Sequence, residues 1–283
     1  MRTRKILFMV FTALIFLPTL CVMGEEAKGP EAAPVTGSAS LGVYNRYIFR
    51  GYEIGKSGLV IQPSLSASYR GFSVTFWGNL DTNQRNTKTA AFSNEFKKGW
   101  DETDITLSYT YTRDKLSLTG GYIYYGTKYA DETEEFFISA AYDIVSKPTL
   151  SIYRDINSYT GTYINLSFSH SVPFNKTFAL DLGASFGYFI GDSDYWRTYQ
   201  PSAGTYSGAK YQGFHDGMLK AGLSINVTKA FVVQPTVQYW FPLSGNAGRE
   251  YPAPAGADIK DSYNPNGPVN HNFVYGVGFV YSF

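Results

Sequence analysis

The last twelve residues decide the fold: Asn272-Phe273-Val274-Tyr275-Gly276-Val277-Gly278-Phe279-Val280-Tyr281-Ser282-Phe283. Every second residue is large and apolar (Phe273, Tyr275, Val277, Phe279, Tyr281, Phe283). Those between are mostly small (Asn272, Val274, Gly276, Gly278, Val280, Ser282). A period of two is the signature of a β-strand, whose side chains point alternately to opposite faces. One face of this strand is oily and the other almost bare, so the question is what each face meets.

The same pattern recurs upstream. Period-2 alternation predicts twelve strands, roughly over 38–50, 57–70, 72–83, 103–113, 115–128, 134–145, 149–157, 160–172, 177–190, 215–227, 231–243 and 271–283. No segment shows a persistent 3.6-residue period. Most predicted strands exceed the typical globular length of about 5–6 residues and reach the about 9–11 tilted residues that cross a bilayer. Connections alternate in length. Arg70-Gly71, Arg113-Asp114-Lys115, Ser146-Lys147-Pro148, Pro173-Phe174-Asn175-Lys176 and Thr228-Lys229-Ala230 are tight, whereas 84–102, 191–214 and 244–270 are long. Tight turns at one end and long loops at the other characterise outer-membrane barrels. An even strand number puts both termini on the tight-turn side, which would be periplasmic.

Alternation alone serves a soluble sandwich as well as a membrane barrel. Three features favour the barrel. Strand lengths match a bilayer. Tyrosines fall near predicted strand ends (Tyr47, Tyr111, Tyr124, Tyr163, Tyr239, Tyr281), as an interfacial girdle would. The polar face carries Ser, Thr, Asn and Gly rather than the Lys and Glu that solvate a soluble sheet. In 72–81, for instance, Phe72, Val74 and Phe76 alternate with Ser73, Thr75 and Trp77. A lipid-facing charge near the midplane costs roughly 2–4 kcal/mol, and the oily faces carry almost none; Lys128, Arg154 and His170 fall near strand ends. In lipid every backbone N–H and C=O needs a partner, which a sheet provides only by closing on itself. The fold class is therefore all-β, a transmembrane antiparallel up-and-down barrel of about twelve strands.

Composition agrees. The 283-residue chain is 17% aromatic, with 24 Tyr, 21 Phe and 28 Gly. Residues 1–24 read as a secretory signal peptide, with basic Arg2, Arg4 and Lys5, an apolar run from Ile6 to Leu20, and Val22 and Gly24 at cleavage spacing. A membrane helix would need a longer run, and Cys21 as a lipoprotein cysteine would want a small residue where Leu20 stands. Residues 25–36 form a disordered lead-in and 37–283 the barrel. Without residues 1–24 the chain keeps 21 basic and 23 acidic residues and no cysteine. That balance gives nucleic acid no basic footprint, and neither a disulfide framework nor a cysteine metal site remains. Export without disulfides suits a Gram-negative outer membrane, with lipid and lipopolysaccharide as surroundings.

The terminal segment ending in Phe283 resembles the carboxy-terminal signal that the barrel assembly machinery recognises in bacterial outer-membrane proteins. Tyr47-Ile48-Phe49-Arg50-Gly51, Gln62 and Gly71-Phe72-Ser73-Val74-Thr75-Phe76-Trp77-Gly78 resemble the TorF family, a group assigned as porins. The resemblance implies an outer-membrane barrel and a pore, not a particular solute.

Twelve strands enclose a lumen between the side-chain-filled barrels of eight and the open channels of 16–18. The inward faces are small and polar apart from Trp77, Tyr125, Phe189 and Trp240, which predicts a narrow water-filled passage for small hydrophilic solutes or ions. Its lining candidates are Arg46, Arg50, Gln62, Asp81, Asp104 and Asp143 in the first half, then Asp181, Lys220, Gln234 and Gln238. Inward Asp155, Asp216 and Arg70 join them, leaving a small acidic excess. Segment 244–270 would enter the lumen or cap it. An alternative is a closed barrel acting at the surface through its long loops. A third is a lipid-modifying enzyme, but His170 points away from its neighbours Ser169 and Ser171 and reads as interfacial, and His215 and His271 read as loop-borne. Gly191-Asp192-Ser193-Asp194 opens like a calcium loop and lacks the later ligands. Neither a cofactor nor a metal is expected.

Overall fold

The structure is a computed structural model describing residues 34–56, 58–83, 99–128, 130–200, 205–248 and 268–283. The predicted signal peptide, most of the lead-in and the middles of the loops at 84–98 and 249–267 lie outside the described residues. In chain order, β1 (Thr36–Tyr44) is followed by two short strands, β2 (Tyr47–Phe49) and β3 (Tyr52–Gly55). Then come β4 (Val60–Tyr69), β5 (Phe72–Asp81), β6 (Gly99–Arg113), β7 (Leu116–Thr127), β8 (Thr133–Tyr142), β9 (Thr149–Asp155), β10 (Gly161–Pro173) and β11 (Phe178–Gly191). A second short pair, β12 (Arg197–Gln200) and β13 (Thr205–Lys210), precedes β14 (Gln212–Asn226), β15 (Phe231–Pro242) and β16 (Asn272–Ser282).

Twelve of these strands form one closed antiparallel barrel, each paired with its neighbours in sequence. β1 closes it, pairing with β4 on one side and β16 on the other. The seam reaches the last residue: Phe283 and Gly37 exchange both backbone hydrogen bonds, at 2.7 and 2.9 Å. Arg70-Gly71, Asp114-Lys115 and the short segments 143–148, 174–177 and 227–230 make one end, and the longer connections make the other. The predicted strands and tight turns are therefore present.

The oily faces point outward. Leu65 (53% exposed), Phe72 (65%), Ile138 (62%) and Phe273 (59%) are large apolar residues on the outer surface, not in a central layer. Of the six predicted girdle tyrosines, Tyr111, Tyr124, Tyr239 and Tyr281 share the outward register with apolar partners such as Leu118, Ile105, Phe273 and Phe231. Tyr47 and Tyr163 are instead buried inside.

The terminal strand shows why its inner face is bare. Tyr44, at the end of β1, turns its ring inward across β16, where a Cβ on Gly276 would overlap that ring and the carbonyl oxygen of Val43. At Gly278 the nearest atom, the Tyr44 hydroxyl, lies 3.5 Å from a Cβ. Gly276→Ala should therefore destabilise the folded barrel by about 1–3 kcal/mol, the usual cost of overpacking, while Gly278→Ala stays close to neutral. Urea midpoints in detergent or vesicles measure both.

Candidate functional site: a hairpin folded into the barrel lumen

Inward residues divide the lumen into two halves. Towards the tight-turn end the wall is lined by hydroxyl pairs on neighbouring strands. Ser38 meets Ser66 at 2.8 Å, Ser68 meets Ser73 at 2.7 Å, Thr110 meets Thr119 at 2.9 Å and Ser139 meets Ser151 at 3.0 Å. Each pair satisfies part of its hydrogen-bonding capacity within the wall and leaves the rest for water. Ser169, Ser171 and Lys220 on this half are exposed.

Towards the long-loop end the lumen is filled. The cause is the stretch predicted as the end of the first strand. β1 stops at Tyr44, and residues 47–55 form a separate hairpin. Its two-residue turn is Arg50-Gly51, with φ of 48° and 79°. Positive φ at both positions is the hairpin turn whose twist matches its flanking strands. Arg70-Gly71, between β4 and β5, adopts the same conformation, with φ of 48° and 88°.

The hairpin reaches across the lumen. Tyr47 packs on Trp77 of β5 and Phe49 on Tyr125 of β7. Tyr52 meets His215 of β14 with ring centroids 4.8 Å apart. At the tip, Arg50 donates from both terminal nitrogens to the two oxygens of Glu135 on β8, at 2.7 and 2.6 Å. The guanidinium also lies 4.7 Å from the ring centroid of Phe49, 4.9 Å from Tyr153 of β9 and 4.7 Å from Tyr163 of β10. Burial works against a charge on Arg50, and the paired Glu135 carboxylate favours it. At the hairpin's base Arg46 donates to Glu53 and to Asn272 of β16, both at 2.6 Å. No strand of the barrel pairs with β2 or β3.

Above the hairpin, aromatic residues close over it: Tyr52, Tyr159, Phe189, Tyr195, Trp196 and Tyr211 form one buried cluster with Ala247 and Val269. The ends of the 244–270 segment thus pack on the hairpin, and its middle lies outside the described residues.

Two β-bulges shape this half. Asn79 pairs with Glu102 and Leu80 with Trp100, so Asp101 is an extra residue and both Asp101 and Glu102 reach the interior. Likewise Phe186 pairs with Gly217 and Tyr188 with Phe214, which turns both His215 and Asp216 inward, each fully buried. Bulges break the period of two and re-aim side chains. Asp101, Glu102 and His215, read as loop residues, therefore sit inside the barrel. Glu135 and Glu53 complete a strongly acidic interior.

The predicted lining residues fall into groups. Gln62, Asp81, Asp104, Asp181, Lys220, Gln234 and Gln238 lie on inward rows of the wall. Gln62 donates to Asn79 at 3.1 Å, Ser224 donates to Asp181, Gln234 donates to Ser224, and Gln238 accepts from Trp240 at 2.9 Å. Arg46 and Arg50 are inward but belong to the hairpin and its base, not to a wall strand. Asp143 is a correction: β8 ends at Tyr142, and Asp143 stands exposed in the following turn beside Lys147. Arg70 is also in a turn, over the Tyr69 ring.

The histidines are engaged elsewhere than with serines. His170 Nδ1 bonds the Val145 carbonyl at 2.8 Å, His215 Nδ1 the Tyr211 hydroxyl at 2.7 Å and His271 Nδ1 the Tyr239 hydroxyl at 2.7 Å.

A closed antiparallel barrel with an apolar exterior and polar interior is the architecture of outer-membrane β-barrels. No protein-family model matches the sequence, and no curated protein matches it. Among solved structures the chain is similar to the KdgM porin, with a TM-score of 0.50 and 14% identity over 87% of this chain and 99% of that one. It is also similar to the NanC porin (TM-score 0.49, 8% identity, 86% and 98% covered) and to an outer-membrane channel from Pseudomonas putida F1 (0.48, 8%, 93% and 100%). At these identities the likeness is one of fold.

Removing one member of a buried ion pair costs about 3–5 kcal/mol, because the other charge is left unpaired. With side chains only 12% and 4% exposed, Arg50 and Glu135 qualify. Glu135→Gln should release the hairpin, read as faster hydrogen–deuterium exchange of amides 47–55 with the barrel strands unaffected. Combining Arg50→Met with Glu135→Leu should recover much of the protection.

Proposed function

We propose that the chain is an outer-membrane channel for passive diffusion of small hydrophilic solutes or ions, and that the hairpin 47–55 sets its constriction. The observation that carries this reading is the contrast between wall and hairpin. The tight-turn half of the wall is a hydroxyl-lined polar tube, whereas the obstruction stands outside the barrel's ladder and is anchored at its tip by the Arg50–Glu135 pair. A permanently sealed barrel has no need of a wet, small-residue inner face. The fold shared with the KdgM porin adds support. On this reading the segments resembling the TorF family mark the hairpin (Tyr47–Gly51) and the strand it leans on (Gly71–Gly78).

Several attributes go with this reading. The tight-turn end and both termini face the periplasm, lipid and lipopolysaccharide surround the outer face, and Phe283 is presented to the assembly machinery before it is locked into the seam. Selectivity follows the charges at a constriction. There Glu53, Asp81, Asp101, Glu102, Asp104 and Glu135 outnumber Arg46 and Arg50, which favours cations.

Planar-bilayer recording of the refolded protein tests the proposal. Small discrete conductance steps are expected, with a reversal potential displaced towards the cation equilibrium under a salt gradient. Replacing 47–55 by a short Gly-Ser link should enlarge the steps several-fold. Silence from both proteins, with folding verified, would overturn the channel reading.

A further inference from the structure

Beneath the hairpin lies an open cavity of about 440 Å³ whose walls are mostly aromatic. Its composition is not that of the hydroxyl-lined passage below. Trp77, Asp104 and Tyr125 stand side by side on β5, β6 and β7, since Trp77 pairs with Asp104 and Asp104 with Tyr125. A carboxylate is thus flanked by two rings. Tyr47 adds a third ring, 5.6 Å from Trp77 between centroids. Asp104 Oδ1 is buried and has no hydrogen-bond partner. A buried acceptor left unsatisfied is costly, and its presence calls for a missing partner.

Rings on the same cavity already hold one cation. Arg50 places its guanidinium over Phe49, Tyr153 and Tyr163 at 4.7–4.9 Å, on the same cavity. Ring faces attract cations, most strongly where water is excluded. Arg50 is neutralised by its bidentate pair with Glu135, so it neither satisfies Asp104 nor repels a second cation. Glu102, two residues before Asp104 on β6, is a second carboxyl group close by. Aromatic faces around one unpaired carboxylate are the recognition chemistry of a small ammonium ion whose substituents are apolar.

We infer that the cavity beneath the hairpin is a binding site for small organic cations, with Asp104 as the counter-ion and Trp77, Tyr47 and Tyr125 as its aromatic wall. A sugar would use ring faces too, but it brings no charge for Asp104; an anion would meet Asp104 and Glu102. The site is distinct from conduction: it exists in the folded protein whether or not ions pass the hairpin.

The test is therefore a binding measurement. Protein folded in octyl glucoside, which carries no ammonium group, is titrated with choline and with 3,3-dimethyl-1-butanol, the uncharged carbon isostere of choline. Isothermal titration and tryptophan fluorescence supply the readouts. Choline should bind saturably and at least about tenfold more tightly than the isostere, a preference set by charge at near-equal shape. Asp104→Asn should abolish the preference, Asp104→Glu should retain part of it, and Asp143→Asn, in the exposed turn, should leave it intact. If Asp104→Asn does not fold, the comparison of choline with its isostere on the unaltered protein still decides. Equal binding of the two, a preference that survives Asp104→Asn, tighter binding of acetate than of choline, or no saturable binding would each overturn the inference.

Discussion

Backbone polar groups in hydrocarbon have no water to turn to, so a sheet that enters a membrane must close on itself. In this chain closure falls to β1, which holds β4 on one edge and β16 on the other, with Gly37 and Phe283 completing the last rung. The rest of the architecture depends on that seam. Once the ring is closed, every strand has one outer and one inner face, and the period of two sorts each residue to lipid or lumen. Gly276 belongs to the same constraint: Tyr44 needs the space to lie flat inside the seam.

Closure with twelve strands creates a second problem, an interior wider than wall side chains fill. The chain treats its two ends differently. At the tight-turn end small hydroxyl residues leave the lumen open. At the other end a hairpin, cut out of the long connection between β1 and β4, crosses the space and is anchored by the Arg50–Glu135 pair, by Arg46 with Glu53 and Asn272, and by ring contacts. Nothing in the sheet ladder binds it to the wall. The proposed constriction and the proposed cation site both follow from placing an aromatic hairpin with an arginine at its tip within an acidic barrel.

Much of this was legible in the sequence, and the limits have physical causes. Alternation located all twelve wall strands and their facing, because lipid and lumen impose opposite chemistry on alternate residues. Gln62, Asp104, Gln234 and Gln238 were placed inward by the same rule. The rule fails at bulges, where an extra residue puts Asp101 beside Glu102 and His215 beside Asp216 on one face. It fails again where a strand ends without changing pattern: Tyr47–Phe49 alternates like a continuation of β1. The signal that separates it was present, since Arg50-Gly51 repeats the dipeptide that turns the chain at Arg70-Gly71. Glu135 was missed because its partner is distant in sequence, and Asp143 was misplaced because a strand boundary is least fixed where alternation runs into a turn.

Single cysteines along β5 test the central claim of facing most directly, because Cys21 is the only natural cysteine and is readily replaced. Introduced at positions 72 to 76 and reconstituted in vesicles, they can be challenged with a small water-soluble maleimide and with a lipid-phase quencher. Residues 73 and 75 should react from water, while 72, 74 and 76 should resist it and sense the quencher. Labelling of 72, 74 and 76 by the aqueous reagent, with 73 and 75 protected, would contradict the account.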